Sequence, residues 1–471
     1  PLIVRILERI SAISSCCWLY DSYMQKTRED LANLQPHYPD MINEVIDLTD
    51  HSRNMIFNMS IEEATKRVAS GDVESIREIE GHFAIMARHN HIIRMARSLQ
   101  FPMRYFIVKK VAGPALLIAD RIDQIREWLD DQGFGDQFHP SYTRMVPAHH
   151  LTEIALVGCP DPNPVCTRFF NPARNVNDSN YAENYIAELS VGISKWLDTI
   201  PVHEPIGVMF SGGIDSGAVF LATHHVMKNR GMNLARLKAF TLSIDGKGND
   251  AKQAHEFLAN LDMELFHEVI EAPASWVNLQ NAVKTIEDYK PLDIQSGAMT
   301  LALCRGIRER YQDFTYLIDG DGGDENMKDY PIEENPELTI KSVLSNQMLY
   351  QEGWGVDAIK HSLTFSGGLS RACTRGYAPM QKYGFKGFSP FMLPNVIEVA
   401  EGIPFIDLTD WDHEKLYALK GQVVASGIEA VTGMHMPIFE KCRFQDGAAH
   451  ERVFGNSPAP YRKAFSIAFD C

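Results

Sequence analysis

Cysteine is scarce. The chain of 471 residues holds eight, at positions 16, 17, 159, 166, 304, 373, 442 and 471. Only Cys16 and Cys17 are adjacent, and no CxxC pair occurs. Metal-ligand spacing is therefore absent, and a disulfide framework is not expected at this length. A reduced, cytoplasmic setting is the expectation. Positive charge is also short: 45 Lys and Arg stand against 61 Asp and Glu, for a net charge of −16. A general affinity for nucleic acid or anionic membrane needs a basic surface, so neither partner is expected. A local basic pocket for a nucleotide remains compatible with that balance. No run of about 18 apolar residues occurs, which excludes a spanning helix. The opening stretch PLIVRILERISAISSCC carries Glu8 and Arg9 inside its apolar run. It makes a poor signal peptide and reads as a first strand or helix.

What is present divides in two. Hydrophobic content of 45% suits packed cores, and the length suits two or three domains. In residues 1–178, HFAIMARH, HIIRMARS, RYFIVKKV and ALLIADR are short apolar runs separated by charged or Gly/Pro turns, as in a sheet-built domain. CPDPNPVC and NPARNVNDSN, between about 159 and 178, read as a linker. NYAENYIAELSVGISKWLDTI then has helical spacing. Residues 179–471 form the second domain. From 205 onward strand and helix patterns alternate: PIGVMF, SGAVFLATHHVMKNR, LKAFTLSI, NDAKQAHEFLANLD, ELFHEVI, SGAMTLALCRGIRERY, FTYLID. That rhythm predicts a doubly wound parallel sheet in an α/β fold.

The stretch VMFSGGIDSGAVF at 208–220 runs a buried strand into Ser211-Gly212-Gly213-Ile214-Asp215-Ser216. Ligands of such sheets bind beyond the carboxyl ends of strands. Two glycines remove side chains and permit unusual dihedrals. The exposed N–H groups and the helix start then form an anion site, with Phe210 leading in and the Ser211 and Ser216 hydroxyls as donors. Asp215 would repel phosphate but suits Mg²⁺, which bridges carboxylate to phosphate. The loop has no Lys-Ser/Thr ending, so it is not a Walker A loop.

A second strand ends in YLIDGDGGDENMKDY at 316–330. An EF-hand would need Asp or Asn at 323, Gly at 324 and Glu at 330. The chain has Gly323, Asp324 and Tyr330, so that reading fails. Asp324 is instead expected to join Asp215 on one Mg²⁺. His149, His150, His224 and His225 sit in adjacent pairs rather than at i, i+4, and are expected to be polar surface or cap residues. His89 and His91 fall in a predicted turn.

SGGIDS resembles the pyrophosphate-binding loop of N-type ATP pyrophosphatases, which split ATP between the α and β phosphates. Gly320-Asp321-Gly322-Gly323-Asp324-Glu325 resembles the second signature of the asparagine synthetase / β-lactam synthetase family. SPFMLPNVIEVAEGIP at 389–404 and EKCRFQDG around Lys441 are similar to later segments of that family. Residues 79–106 and RIDQIREWL resemble its class II glutaminase domain. The resemblance implies an N-terminal Ntn-like αββα sandwich followed by an ATP pyrophosphatase domain. It implies ATP and Mg²⁺ and an AMP- and pyrophosphate-forming amide ligase joining a carboxylate, small or peptidic, to an amine. The reaction would be intramolecular if the chain resembles β-lactam synthetase or lasso peptide cyclases. An amidotransferase using ammonia or glutamine, an inactive scaffold and a tRNA-modifying pyrophosphatase are the alternatives. A homodimer is left open.

The residue roles follow from the same resemblance. Lys441 takes the place of the family's catalytic lysine, a cation beside the reacting phosphorus and carbon. Asp321, where relatives carry Glu or Tyr, is the expected base for the amine. Main-chain groups of Leu242 and Ser243 would seat adenine, with Gly320 beside the nucleotide. Arg371 and Arg375 are candidates for pyrophosphate or a substrate carboxylate. Tyr350, Trp354 and Tyr377 suggest an aromatic lining or core packing. A class II glutaminase needs an N-terminal cysteine. The chain begins Pro-Leu-Ile, so glutamine hydrolysis is not expected if residue 1 is the mature start; a missing segment is the competing explanation.

Overall fold

The computed structural model describes residues 42–157, 164–176, 178–329, 339–348, 352, 373–439, 447–448 and 458–469. In the front part, two four-stranded sheets face each other. One runs Glu44–Asp47, Ala115–Ala119, Arg104–Val108, Arg144–Met145. The other runs Val165–Arg168, His150–Ala155, Ile92–Arg97, Ala84–His89. Strand alternation sends Ile93, Met95 and Ile154 inward onto Tyr105, Leu116 and Ile118. The opposite face of the second sheet, through Ile85, Ala87 and Ala96, meets Ala64 and Val68 of the helix Ile61–Ser70. That helix starts where the Ser60 hydroxyl accepts from the Glu63 N–H and stops at Gly71, at φ 76°. On the far side Ile125 and Leu129 of the helix Ile122–Asp131 cover Phe106, Val108 and Leu117. The layers are helix, sheet, sheet, helix.

The segment expected to be a linker contains the strand Val165–Arg168, which pairs antiparallel with His150–Ala155. Proline limits the run's ends, but Val-Cys-Thr-Arg is a good strand sequence.

The second part is built on a five-stranded, all-parallel sheet. Its order is His267–Ala272, Leu237–Ile244, Ile206–Met209, Tyr316–Ile318, Lys386–Phe388. In chain order this is third, second, first, fourth, fifth. The direction of winding therefore reverses between Ile206–Met209 and Tyr316–Ile318. Ile206, Val208 and Ala239 face a core with Leu189, Trp196 and Ala218. Phe240, Leu242 and Leu317 face another with Ile294, Ala298 and Leu303. Both faces are covered, which is why these strands read as continuous apolar runs. The expected strand ELFHEVI begins only at His267, because Glu264–Phe266 forms a 3-10 turn.

The two parts meet along a buried seam. Arg104 Nη2 lies 2.8 Å from Glu287 Oε2, at 1% and 3% exposure. Gln100 donates to the Gly387 carbonyl at 2.8 Å and accepts from the Ser389 N–H at 3.1 Å. The His82 ring of the front part lies against Phe388, with ring centroids 5.6 Å apart. His149 is also corrected: it is fully buried, with Nδ1 3.0 Å from Glu352 Oε1. His224 is buried against Phe220 and Phe266, packed as an aromatic ring would be. The pattern rule addressed metal ligation, not burial, so it could not foresee either.

Candidate active site

In open parallel sheets, ligands bind in the crevice beyond the carboxyl ends of the strands where the winding reverses, here Ile206–Met209 and Tyr316–Ile318. Both loops singled out above sit there. Ile206–Met209 leads through Phe210 into 211–216, and Tyr316–Ile318 leads into 319–325.

Phe210 is buried, with its N–H on the Phe240 carbonyl at 2.8 Å and its own carbonyl accepting from Thr241 Oγ1 at 2.7 Å. The chain then turns sharply. Gly212 has φ 74°, and a Cβ there would lie 2.8 Å from the Ala254 backbone. Ser211 Oγ accepts from the Gly213 N–H at 3.3 Å, and the Ser211 N–H donates to Ser216 Oγ at 3.2 Å. Gly213 caps the 16-residue helix Ile214–Asn229 without any side-chain acceptor. The positive end of that helix thus faces the crevice.

The second loop is pressed onto the first by its glycines. A Cβ on Gly320 would stand 2.8 Å from the Ser216 nitrogen, and one on Gly323 2.2 Å from Asp215 Oδ1. Behind the loop, Asn326 Nδ2 reaches the Phe391 carbonyl at 2.9 Å and the Tyr185 hydroxyl at 3.1 Å. Lys328 pairs with Glu401 at 2.9 Å in the interior. These anchors fix the short helix Gly323–Asn326 that carries Asp324.

Asp215 and Asp324 converge on one point, and that point is the Lys420 ammonium. Lys420 Nζ is 2.6 Å from Asp215 Oδ2, bonds Asp324 Oδ1, and lies 3.5 Å from Asp329 Oδ2. The residue is 2% exposed. Burial by itself would lower its pKa; the three carboxylates outweigh that and hold it well above the ordinary value. Lys420 was not among the residues picked from the sequence. A signal existed. On the helix His413–Thr432 the buried positions include Leu416, Leu419, Val423 and Val424, and a lysine inside that apolar stripe calls for a buried partner.

Beside this pair lies a second acidic group. Asp319 Oδ1 accepts from the Asp321 N–H at 3.1 Å. A Cβ on Gly376 would stand 2.6 Å from Asp319 Oδ2 and 2.7 Å from Asp321 Oδ2, so both carboxyls face one backbone position. Burial raises both pKa values, and Asp319 raises that of Asp321 further, against the pull of Arg375. Arg375 is held by Asp293, Nε to Oδ1 at 3.0 Å. Its positive charge opposes the rise in the Asp321 pKa.

Leu242 and Ser243 are buried. The strand Leu237–Ile244 pairs with Ile206–Met209 only as far as Phe240, but with His267–Ala272 as far as Ile244. Phe240 bonds toward the shorter strand and Ile244 N bonds the Ala448 carbonyl. By the alternation of peptide directions, Leu242 presents its main chain past the end of that strand, over the glycine loop, whereas Ser243 turns toward the other neighbour. Tyr377 is buried against Phe101, with ring centroids 5.0 Å apart, and belongs to the front core. Lys441, Arg371, Tyr350 and Trp354 lie outside the described residues.

Residues 202–363 match the family model described as asparagine synthase. That stretch of the chain is similar to the asparagine synthase family. Members of that family are ATP-dependent carbon–nitrogen ligases. The asparagine synthase match spans both loops and ends before Arg375, Lys420 and Lys441. No curated protein matches the chain. Among the described residues no helix is long and apolar enough to cross a membrane. Among them, too, no three His, Cys, Asp or Glu side chains gather as a self-sufficient metal site. The donor set nevertheless fits Mg²⁺. Two carboxylates already share one cation, the Lys420 ammonium, and Mg²⁺ is commonly held by one or two carboxylates together with substrate phosphates.

Proposed function

We propose that this protein is an AMP- and pyrophosphate-forming amide ligase that adenylates a carboxylate and passes it to an amine. The observation that carries the reading is the convergence of Asp215 and Asp324 beneath the 211–216 loop, at the point where the sheet reverses.

In this reading the triphosphate lies on the N–H groups of 211–216 and at the start of the helix Ile214–Asn229, with the Ser211 and Ser216 hydroxyls as donors. The main chain of Leu242 seats the adenine, with Ser243 turned toward the neighbouring strand, and Gly320 leaves room beside the α-phosphate. Asp215 and Asp324 would hold Mg²⁺, which supplies neutralisation of the phosphate charge. A substrate carboxylate oxygen attacks the α-phosphorus and pyrophosphate leaves. The amine nitrogen then attacks the acyl carbon, the C–N bond forms, and AMP departs with the former carboxylate oxygen. Asp321 takes the proton from the amine. Its buried, acid-flanked setting makes it a stronger base than a solvated carboxylate. Lys441 is assigned the role of fixed cation for both transition states. The layered front part supports an Ntn-like αββα domain serving as a scaffold, with residues 179–471 as the ATP pyrophosphatase unit.

The test is nucleotide analysis with ATP, Mg²⁺ and panels of amino acids and peptides. The expected result is AMP and pyrophosphate, with isotope exchange from pyrophosphate into ATP only when a carboxylate substrate is present. Release of ADP, or no ATP binding, overturns the reading. Product formation with aspartate and ammonia would instead favour the asparagine-forming alternative.

A further inference from the structure

Two carboxylates facing one point repel each other, and without a cation one of them takes up a proton. Here the cation is built in. Lys420 reaches Asp215 at 2.6 Å and bonds Asp324. It is delivered from the middle of the helix His413–Thr432, far in sequence from both loops, and is 3% exposed at its side chain.

We propose that Lys420 is the resident counter-cation of the carboxylate pair. It holds Asp215 and Asp324 on a common point before nucleotide arrives, and it keeps bare divalent ions off them. The inference rests on the reading that these two aspartates bind the metal. Charge explains the selectivity. With Asp329, 3.5 Å from the ammonium, the carboxylates carry −3, and with Lys420 the sum is −2. Divalent-ion affinity follows the charge count of the ligands, so a bare ion is poorly held. Phosphate oxygens that arrive with ATP add ligands and negative charge, and the ion enters together with the nucleotide. Lys420 is thus a positioning residue acting through Asp215 and Asp324.

The experiment measures binding of Mn²⁺ alone, by electron paramagnetic resonance of the free ion, to the full chain without nucleotide. Wild type, Lys420→Met, Lys420→Arg and the double variant Lys420→Met/Asp324→Asn are compared. Lys420→Met should bind Mn²⁺ at least about tenfold more tightly than wild type, because a close positive charge is gone. Lys420→Arg should behave as wild type. The double variant restores the wild-type sum of −2 and should lose the gain. Equal or weaker Mn²⁺ binding by Lys420→Met overturns the proposal. If Lys420→Met melts too low to titrate, millimolar Mn²⁺ or the second substitution should recover its melting temperature; recovery by neither marks a packing role and overturns it too. Should wild type fail to bind ATP with Mn²⁺ while Lys420→Met still gains metal affinity, the counter-cation role stands and the ligase reading falls.

Discussion

Gly323 lies against Asp215 so closely that a methyl group on its Cα would stand 2.2 Å from Oδ1. The contact joins the fourth strand's loop to the first strand's loop, and it leaves no room for a side chain at 323 unless Asp215 shifts. Alanine is otherwise a better helix former than glycine at that position. Gly323→Ala should therefore fold, with a melting temperature within a few degrees of wild type, yet displace Asp215 from Lys420. ATP affinity in the presence of Mg²⁺ should fall at least about tenfold, a loss of about 1.4 kcal/mol or more. A nucleotide titration beside a thermal melt checks this, and unchanged affinity would show that the loops can part without cost.

The aspartates divide the reaction into separable steps. Asp215→Asn and Asp324→Asn should each cut pyrophosphate–ATP exchange by roughly a hundredfold, the scale expected when a charged group at a phosphoryl centre is lost. Their ATP binding should also lose its Mg²⁺ dependence. Asp321→Asn should keep the exchange reaction and lose amide formation, because it acts on the amine after pyrophosphate has left. Parallel assays of exchange and of product formation distinguish the two patterns. Loss of exchange in Asp321→Asn would remove it from the role of base.

Most of this site could be read from residue order alone. A strand, two glycines and an acid at 208–217, and the same grammar at 316–325, are local patterns with a local cause: a strand end needs space and N–H groups to bind phosphate. The βα rhythm also placed the two loops on one sheet. What could not be read was anything brought in from a distance by packing. Lys420 meets Asp215 across about two hundred positions, and Asp293 meets Arg375 across 82. Neither has a motif. The strand Val165–Arg168 was hidden by the prolines around it, since composition marks turn formers more strongly than it marks four residues of edge strand. His149 was hidden because burial depends on Phe169, Phe170 and Glu352, which only the fold assembles.

The seam between the two parts should be sensitive to charge. Arg104 and Glu287 are both buried, and Glu287 Oε1 also accepts from the Ile122 N–H at 2.6 Å. Removing Arg104 leaves Glu287 only the more exposed Arg121, 3.4 Å away, and removing the Glu287 charge takes from the buried Arg104 guanidinium its carboxylate. Arg104→Met or Glu287→Gln alone should destabilise by about 3–5 kcal/mol, whereas Arg104→Met/Glu287→Gln should cost less than the sum. Urea unfolding of the four proteins closes the cycle. Additive losses would mean that the two groups do not act as a pair.

His82 makes the same seam depend on pH. Its ring lies against Phe388 and its Nε2 is 3.3 Å from the Ser389 carbonyl oxygen. Burial pushes its pKa from 6.5 down to about 3, so the folded protein keeps it neutral. In the unfolded chain it titrates near its ordinary value. Between these limits the unfolded state binds the extra proton, and stability falls as pH drops below about 6.5. At pH 5 the loss from this one ring amounts to about 2 kcal/mol. His82→Gln, which keeps a donor for Ser389, should flatten the dependence of melting temperature on pH between 7 and 5. Some slope should survive, because burial lowers the pKa of His149 as well. Asp319 and Asp250, whose carboxyls burial raises, tilt the curve the other way in both proteins and cancel in the comparison. Parallel curves for wild type and His82→Gln would mean that the folded protein accommodates the imidazolium, and that the seam opens to water in acid without unfolding.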